Sequence, residues 1–130
     1  MEVLSKRFGK HGLTLHPDKT RLAPFRRPRE GAGSGQAHRL GTFDLLGFTH
    51  YWRRTRCGGW AMKRQTASKR LSRAVQIIAL LCRTHWHRSV RKQHEILSQK
   101  VRGHYAYYGI TDNMRMLKAF LRAVARAWRK

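Results

Sequence analysis

The spacing of apolar positions changes period along the chain, and that change divides it. Val3, Leu4 and Phe8 recur at helical spacing and predict a helix ending within residues 1–11, stopped by Gly9 and Gly12. The pattern is already running at Met1 with no start signal, which suggests a chain cut out of something longer. Leu13 to His16 alternate like a short strand. Pro17-Asp18 turns, and Thr20-Arg21-Leu22 returns as its partner. Residues 24–41 hold prolines, glycines and few apolar side chains, as a mobile connection would. The stretch from Phe43 to Trp52 predicts one strongly apolar strand bent at Gly47. Gly58-Gly59 then signals a hairpin into Trp60-Ala61-Met62-Lys63, with Trp52 and Trp60 packing across the strands.

After Thr66 the period becomes helical. Leu71, Val75, Ile78 and Cys82, flanked by Ala74, Ile77 and Leu81, make one broad apolar face, with Thr66 or Ser68 as the cap. A second helix starts near Ser89 on Val90, Ile96, Leu97 and Val101. Gly103 is expected to interrupt it and Gly109 to end it. A third follows Thr111-Asp112 and runs on Leu117, Phe120, Leu121, Val124 and Trp128. The expected fold is α+β: a small β-hairpin unit over residues 1–65, then a three-helix unit over residues 66–130.

A chain of 130 residues with 41% hydrophobic content can bury one modest core, so it does not read as disordered. Its charge changes the picture. Lys and Arg number 29 against 6 acids, a net charge of +23. Such a field repels itself and calls for polyanions, with nucleic acid the first expectation and an anionic membrane surface the second. Residues 61–130 carry 17 basic groups and 2 acids, residues 1–60 carry 12 and 4, so the helical half is the stronger electrostatic footprint. The longest apolar run, from Ile77 to Cys82, is far too short to span a bilayer. No secretion signal opens the chain, and two distant cysteines form no disulfide framework. A cytoplasmic, reducing location is the expectation, with no membrane partner.

Three stretches resemble the group II intron reverse transcriptases, or maturases. Phe8-Gly9-Lys10-His11-Gly12-Leu13-Thr14-Leu15-His16-Pro17-Asp18-Lys19-Thr20-Arg21-Leu22 is similar to the late-palm block, where a helix gives way to a hairpin and a lysine follows an acid. Phe43-Asp44-Leu45-Leu46-Gly47-Phe48-Thr49 resembles the "F-x-F-L-G-F" strand at the palm–thumb junction, with Leu45 where a second aromatic is common. Gln99-Lys100-Val101-Arg102-Gly103-His104-Tyr105-Ala106-Tyr107-Tyr108-Gly109-Ile110 resembles the "L-R-G-x-x-x-Y-Y" signature of the maturase-specific thumb. The resemblance implies a palm remnant up to about residue 65 and an α-helical thumb, or domain X, from about residue 66. It implies intron RNA as partner, in support of splicing and retrohoming, with DNA and a separate fingers/palm polypeptide as further partners.

The family's polymerase chemistry needs carboxylates that hold two magnesium ions. They belong to an earlier aspartate strand and a Tyr-Ala-Asp-Asp-like turn, and neither is in this sequence. Glu2, Asp18, Glu30, Asp44, Glu95 and Asp112 are each isolated. No catalytic residue, metal or cofactor is therefore expected here, Mg2+ belonging to the absent polymerase site. The family's endonuclease appendix is absent as well. Lys19 falls in the block that the resemblance places near primer or nucleotide, which makes it a candidate phosphate contact, while Asp18 reads as a turn residue.

Cys82-Arg83-Thr84-His85-Trp86-His87 invites a zinc reading, but it holds a single cysteine, and that cysteine falls on the apolar helix face. Residues 85–88 read as a basic loop touching phosphates at most. Tyr105 and Tyr108, one turn apart, are expected to pack between helices, whereas Tyr107 with Arg102 and His104 is expected at the surface, able to stack on unpaired bases. On the last helix Arg115, Lys118, Arg122, Arg126 and Arg129 recur at three and four residues, an acid-free face set against the apolar one. These five, with Lys19, Arg102, His104 and Tyr107, are the candidate RNA contacts. Two other readings stand beside this one: a remnant of a truncated mobile element with no selected role, and an unrelated small basic nucleic-acid-binding protein of ribosomal or nucleoid type.

Overall fold

The computed structural model describes residues 2–16, 20, 25–28 and 41–129. Helix α1 spans Glu2–Gly9. It ends where the carbonyl of Phe8 accepts the N–H groups of His11 and Leu13 and Gly12 takes a φ of 68°. Residues 13–16 do not form the expected strand. The carbonyl of His16 accepts the N–H of Thr20 at 3.0 Å, and an alternating segment with no strand paired to it among the described residues has nothing to satisfy its backbone as a strand. Pro17, Asp18, Lys19, Arg21 and Leu22 lie outside the described residues.

The sheet has three antiparallel strands in sequential order: β1 Phe43–Leu45, β2 Phe48–Arg54 and β3 Trp60–Thr66. Gly47 does not bend a single strand. Leu46 (φ 50°) and Gly47 (φ 81°) form a two-residue hairpin turn, and Leu45 pairs directly with Phe48. Positive φ at both central positions matches the twist of the flanking strands, which is why the chain reverses rather than kinks. A leucine at the first of those positions hides the turn from a propensity reading. The second hairpin falls at the glycine pair, as expected: Thr55 N–H donates to the Gly59 carbonyl at 2.8 Å, and Gly58 N–H donates back to Thr55 at 3.1 Å.

On one sheet face Phe43 stacks on His50 with ring centroids 4.8 Å apart. Phe25 stacks on Trp52 at 5.2 Å and meets Phe43 edge-on at 4.7 Å. Pro28 is buried. Residues 25–28, expected to belong to a mobile connection, thus pack against the sheet; most of the remaining 24–41 stretch lies outside the described residues. Trp52 stands opposite Met62 and Trp60 opposite Arg54, so the two indoles are diagonal rather than facing neighbours.

Helices α2 (Ser68–Thr84), α3 (Val90–Tyr108) and α4 (Met114–Trp128) follow. Their shared core is Ile78 from α2, Leu97 from α3, and Phe120 and Val124 from α4, with Leu71, Val75, Cys82, Val101 and Tyr105 packed against it. Ser89 caps α3 by accepting the N–H of Lys92 at 3.4 Å. The cap position of α2 is Ala67, with no side-chain bond, because Thr66 is engaged elsewhere. Gly103 does not interrupt α3. It lies exposed with open space around it, so the helix carries only the propensity cost of glycine, about 1 kcal/mol relative to alanine. Gly109 does end α3: its N–H donates to Tyr105 at 2.8 Å, and a Cβ there would collide with that carbonyl.

The described residues are thus mixed α+β: α1, a three-stranded sheet, and three packed helices. Sheet and helices meet at the start of α4. Asn113 is fully buried, accepts the N–H of Thr66 at 2.8 Å, and donates to the Thr66 hydroxyl and to the Tyr108 carbonyl, each at 2.8 Å. Lys63 pairs with Asp112 beside it. Ala67 N–H donates to the Gly47 carbonyl at 3.0 Å, closing the joint around the first hairpin.

Candidate nucleic-acid interface

Helix α4 positions the main candidate residues. Leu117, Phe120 and Val124 are buried. At 100° per residue that fixes the opposite face to solvent, where Arg115, Lys118, Arg122, Arg126 and Arg129 are all exposed. The stripe is about 21 Å long at 1.5 Å per residue. Among the described residues no ion pair reaches it. Glu95 is taken by Arg91 and Lys92, Asp112 by Lys63, and Asp44 accepts the hydroxyl of Thr49. Like charges one turn apart weaken a helix by a few tenths of a kcal/mol per pair, so this unneutralised face works against the helix that carries it.

Arg102 is exposed on α3 and lines a groove of about 360 Å³ between α3 and α4, whose other wall includes Leu121 and Ala125 beside the α4 stripe. Tyr107 is 54% exposed, but its polar end is committed: the hydroxyl donates to the Leu46 carbonyl at 2.8 Å, and the ring stacks on Phe48 with centroids 5.8 Å apart. Lys19 lies outside the described residues.

His104 departs from expectation. Its ring stacks on Phe120 at 3.8 Å and 19°, with Tyr108 at 4.6 Å on another side. Its Nε2 is buried without a hydrogen-bond partner, and burial pushes its pKa below the ordinary value. Stacked on Phe120 in the α3–α4 contact, where burial favours the uncharged form, this imidazole is not placed as a surface cation. The helical period explains the difference, because residue 104 shares a face with Leu97, Val101 and Tyr108. Tyr105 and Tyr108 pack as the sequence suggests, Tyr105 donating to the Leu117 carbonyl at 3.4 Å and Tyr108 meeting Phe48 edge-on at 5.2 Å.

Two of the resembling stretches are therefore in contact. Phe48 and Leu46 from the first hairpin meet Tyr107 and Tyr108 from α3, and Tyr108 approaches Gly47 so closely that an added Cβ would lie 3.0 Å from its hydroxyl.

Cys82 is partly buried beside the core, and burial raises its thiol pKa, which suits a small packing residue. Among the described residues no group of three or more His, Cys, Asp or Glu side chains is placed to hold a metal ion, and no helix is long and apolar enough to cross a membrane. Sequence reasoning missed one feature. Trp86 and Arg83, at the end of α2 and the turn after it, meet Arg126 around a cleft of about 900 Å³. Only the exposed tryptophan in a basic loop could have signalled it. Comparison with protein-family models, curated proteins and solved structures gives no match to this chain.

Proposed function

We propose that this protein binds RNA, gripping the phosphate backbone with the exposed face of α4 and with Arg102, and performs no chemistry of its own. The observation that carries the proposal is the α4 stripe: five exposed cations on one rigid helix, with no acid among them and no ion pair to them among the described residues. Positioning comes from phosphate contacts and from the shape of the RNA rather than from base-edge readout. His104 is left out of the interface because of its packing, and Tyr107 contributes its ring but not its hydroxyl.

In this reading the sheet is the end of a reverse-transcriptase palm and α2–α4 the thumb of a group II intron maturase, holding intron RNA in support of splicing or retrohoming. The order of the three resembling stretches, and the packing of Phe48 and Leu46 on Tyr107 and Tyr108, support it. The polymerase carboxylates are not in the sequence. The testing experiment compares affinity for a structured RNA and for a DNA duplex of the same length at matched salt. The proposal expects RNA to be preferred. Equal affinity would reduce the protein to a generic basic binder.

A further inference from the structure

The turn between α2 and α3 carries Trp86, which is 77% exposed. The turn itself is held firmly. Gln93, in the first turn of α3, donates through Nε2 to the carbonyls of Trp86 at 3.1 Å and Arg88 at 2.8 Å. Its Oε1 accepts the indole N–H of Trp128 at 3.0 Å. One side chain thus ties the turn to α3 and to the end of α4, fixing the backbone of Trp86 while its indole stands in solvent.

Beside that indole lies the cleft of about 900 Å³, at the upper end of the range of about 300–1,000 Å³ that encloses small-molecule-sized groups. Val75 and Ala79 from α2 and Ala123 and Ala127 from α4 line it, and these short side chains leave the space open. Arg83 and Arg126 stand on either helix, and neither takes part in an ion pair among the described residues. Arg126 also belongs to the α4 stripe, so the cleft is continuous with the proposed RNA-binding face.

We infer that this cleft takes an unpaired nucleotide of RNA, with the base stacked against Trp86 and the adjacent phosphates on Arg83 and Arg126. The inference rests on the RNA-binding reading above and adds a preference for unpaired over paired strands. A flat aromatic wall beside two unneutralised guanidinium groups is complementary to a planar base with an anionic backbone at its edge. A base inside a duplex is already stacked and cannot enter. An acidic protein segment would satisfy the two arginines but leaves the free indole face without a matching surface.

The test uses the full chain with a short unstructured RNA, a fully paired RNA of the same length, and a polyglutamate peptide, all at matched salt. Trp86→Ala should weaken binding of the unpaired RNA by about five- to a hundredfold, leave duplex affinity unchanged, and preserve helicity, because the side chain is exposed. Trp86→Phe should restore most of the loss, since a phenyl ring also stacks. Arg83→Gln should weaken the unpaired RNA and lower its salt slope by about one phosphate contact. Equal losses on paired and unpaired RNA, or no loss on either, would overturn the inference while leaving RNA binding intact. Loss of polyglutamate binding in Trp86→Ala with unpaired RNA unaffected would also overturn it, assigning the cleft to an acidic protein. Failure of the unaltered chain to bind either RNA would instead overturn the RNA-binding reading on which the inference rests.

Discussion

Asn113 and Thr66, 47 residues apart, are joined by two hydrogen bonds of 2.8 Å, one to the Thr66 N–H and one to its hydroxyl. The last residue of the sheet is thereby fixed to the residue that precedes the helix carrying the basic stripe. Asn113→Ala strands the buried Thr66 N–H and removes the donor to the Tyr108 carbonyl, and a buried unsatisfied group costs about 1–3 kcal/mol. Urea unfolding of the variant should show a clearly lower midpoint, corresponding to about 2 kcal/mol or more. An unchanged midpoint would mean that sheet and helices are not coupled through this pair.

The first hairpin depends on Gly47 for two reasons. Its φ of 81° is unfavourable for a side chain, and Tyr108 closes the space where a Cβ would sit. Gly47→Ala should destabilise by about 1–2 kcal/mol from backbone conformation alone. Tyr107→Phe, which removes only the hydroxyl bonded to Leu46, should cost about 0.5–1.5 kcal/mol. Thermal melts that rank Tyr107→Phe as the more damaging of the two would contradict this account of the turn.

His104 gives the fold a pH dependence of defined sign. Burial lowers its pKa from the ordinary 6.5, so the unfolded chain takes up the proton first. Its contribution to stability is complete above 6.5, declines as pH falls through that value, and levels off below the folded-state pKa. Comparing denaturant midpoints of the native chain and of His104→Phe across this range isolates the effect. The native chain should lose stability relative to the variant on acidification. A parallel course for the two would show that the imidazole is not held neutral.

The helical core of Ile78, Leu97, Phe120 and Val124 lies wholly within residues 66–130. A polypeptide of those residues should therefore remain helical by circular dichroism. It should also melt lower than the full chain, because Phe48, Leu46 and Lys63 are no longer there to meet Tyr107, Tyr108 and Asp112. Loss of helicity in that polypeptide would make the sheet a requirement for the helices.

The helices were legible because their apolar stripes are long and the glycine and serine at their ends act locally: Ser89 and Gly109 stand where the sequence places them. The first hairpin was not, because Leu46 occupies a turn position that propensity assigns to asparagine or glycine, and what supports it is Tyr107, remote in sequence. Thr66 illustrates the same limit, since its capping potential is overridden by a long-range partner. At the candidate site the α4 stripe follows from spacing alone. The inward turn of His104 follows from the same periodicity once Leu97, Val101 and Tyr108 define the buried face. The cleft beside Trp86 depends on how α2 and α4 approach each other, which no local pattern encodes.

The central claim is that the exposed face of α4 grips RNA phosphates, and the most direct test is the salt dependence of RNA affinity when that face is neutralised. For the native chain log K should fall linearly with log salt, by about 0.7–0.9 per phosphate contact. Changing Arg115, Lys118, Arg122 and Arg126 together to Gln should weaken binding and reduce the slope by about 3, with helicity kept or improved. Changing the exposed Arg26, Arg27, Arg53 and Arg54 to Gln removes the same charge from elsewhere and should leave most of the affinity and slope in place. Equal losses in the two sets would mean that binding is diffuse attraction to a +23 chain and that the α4 face has no particular role.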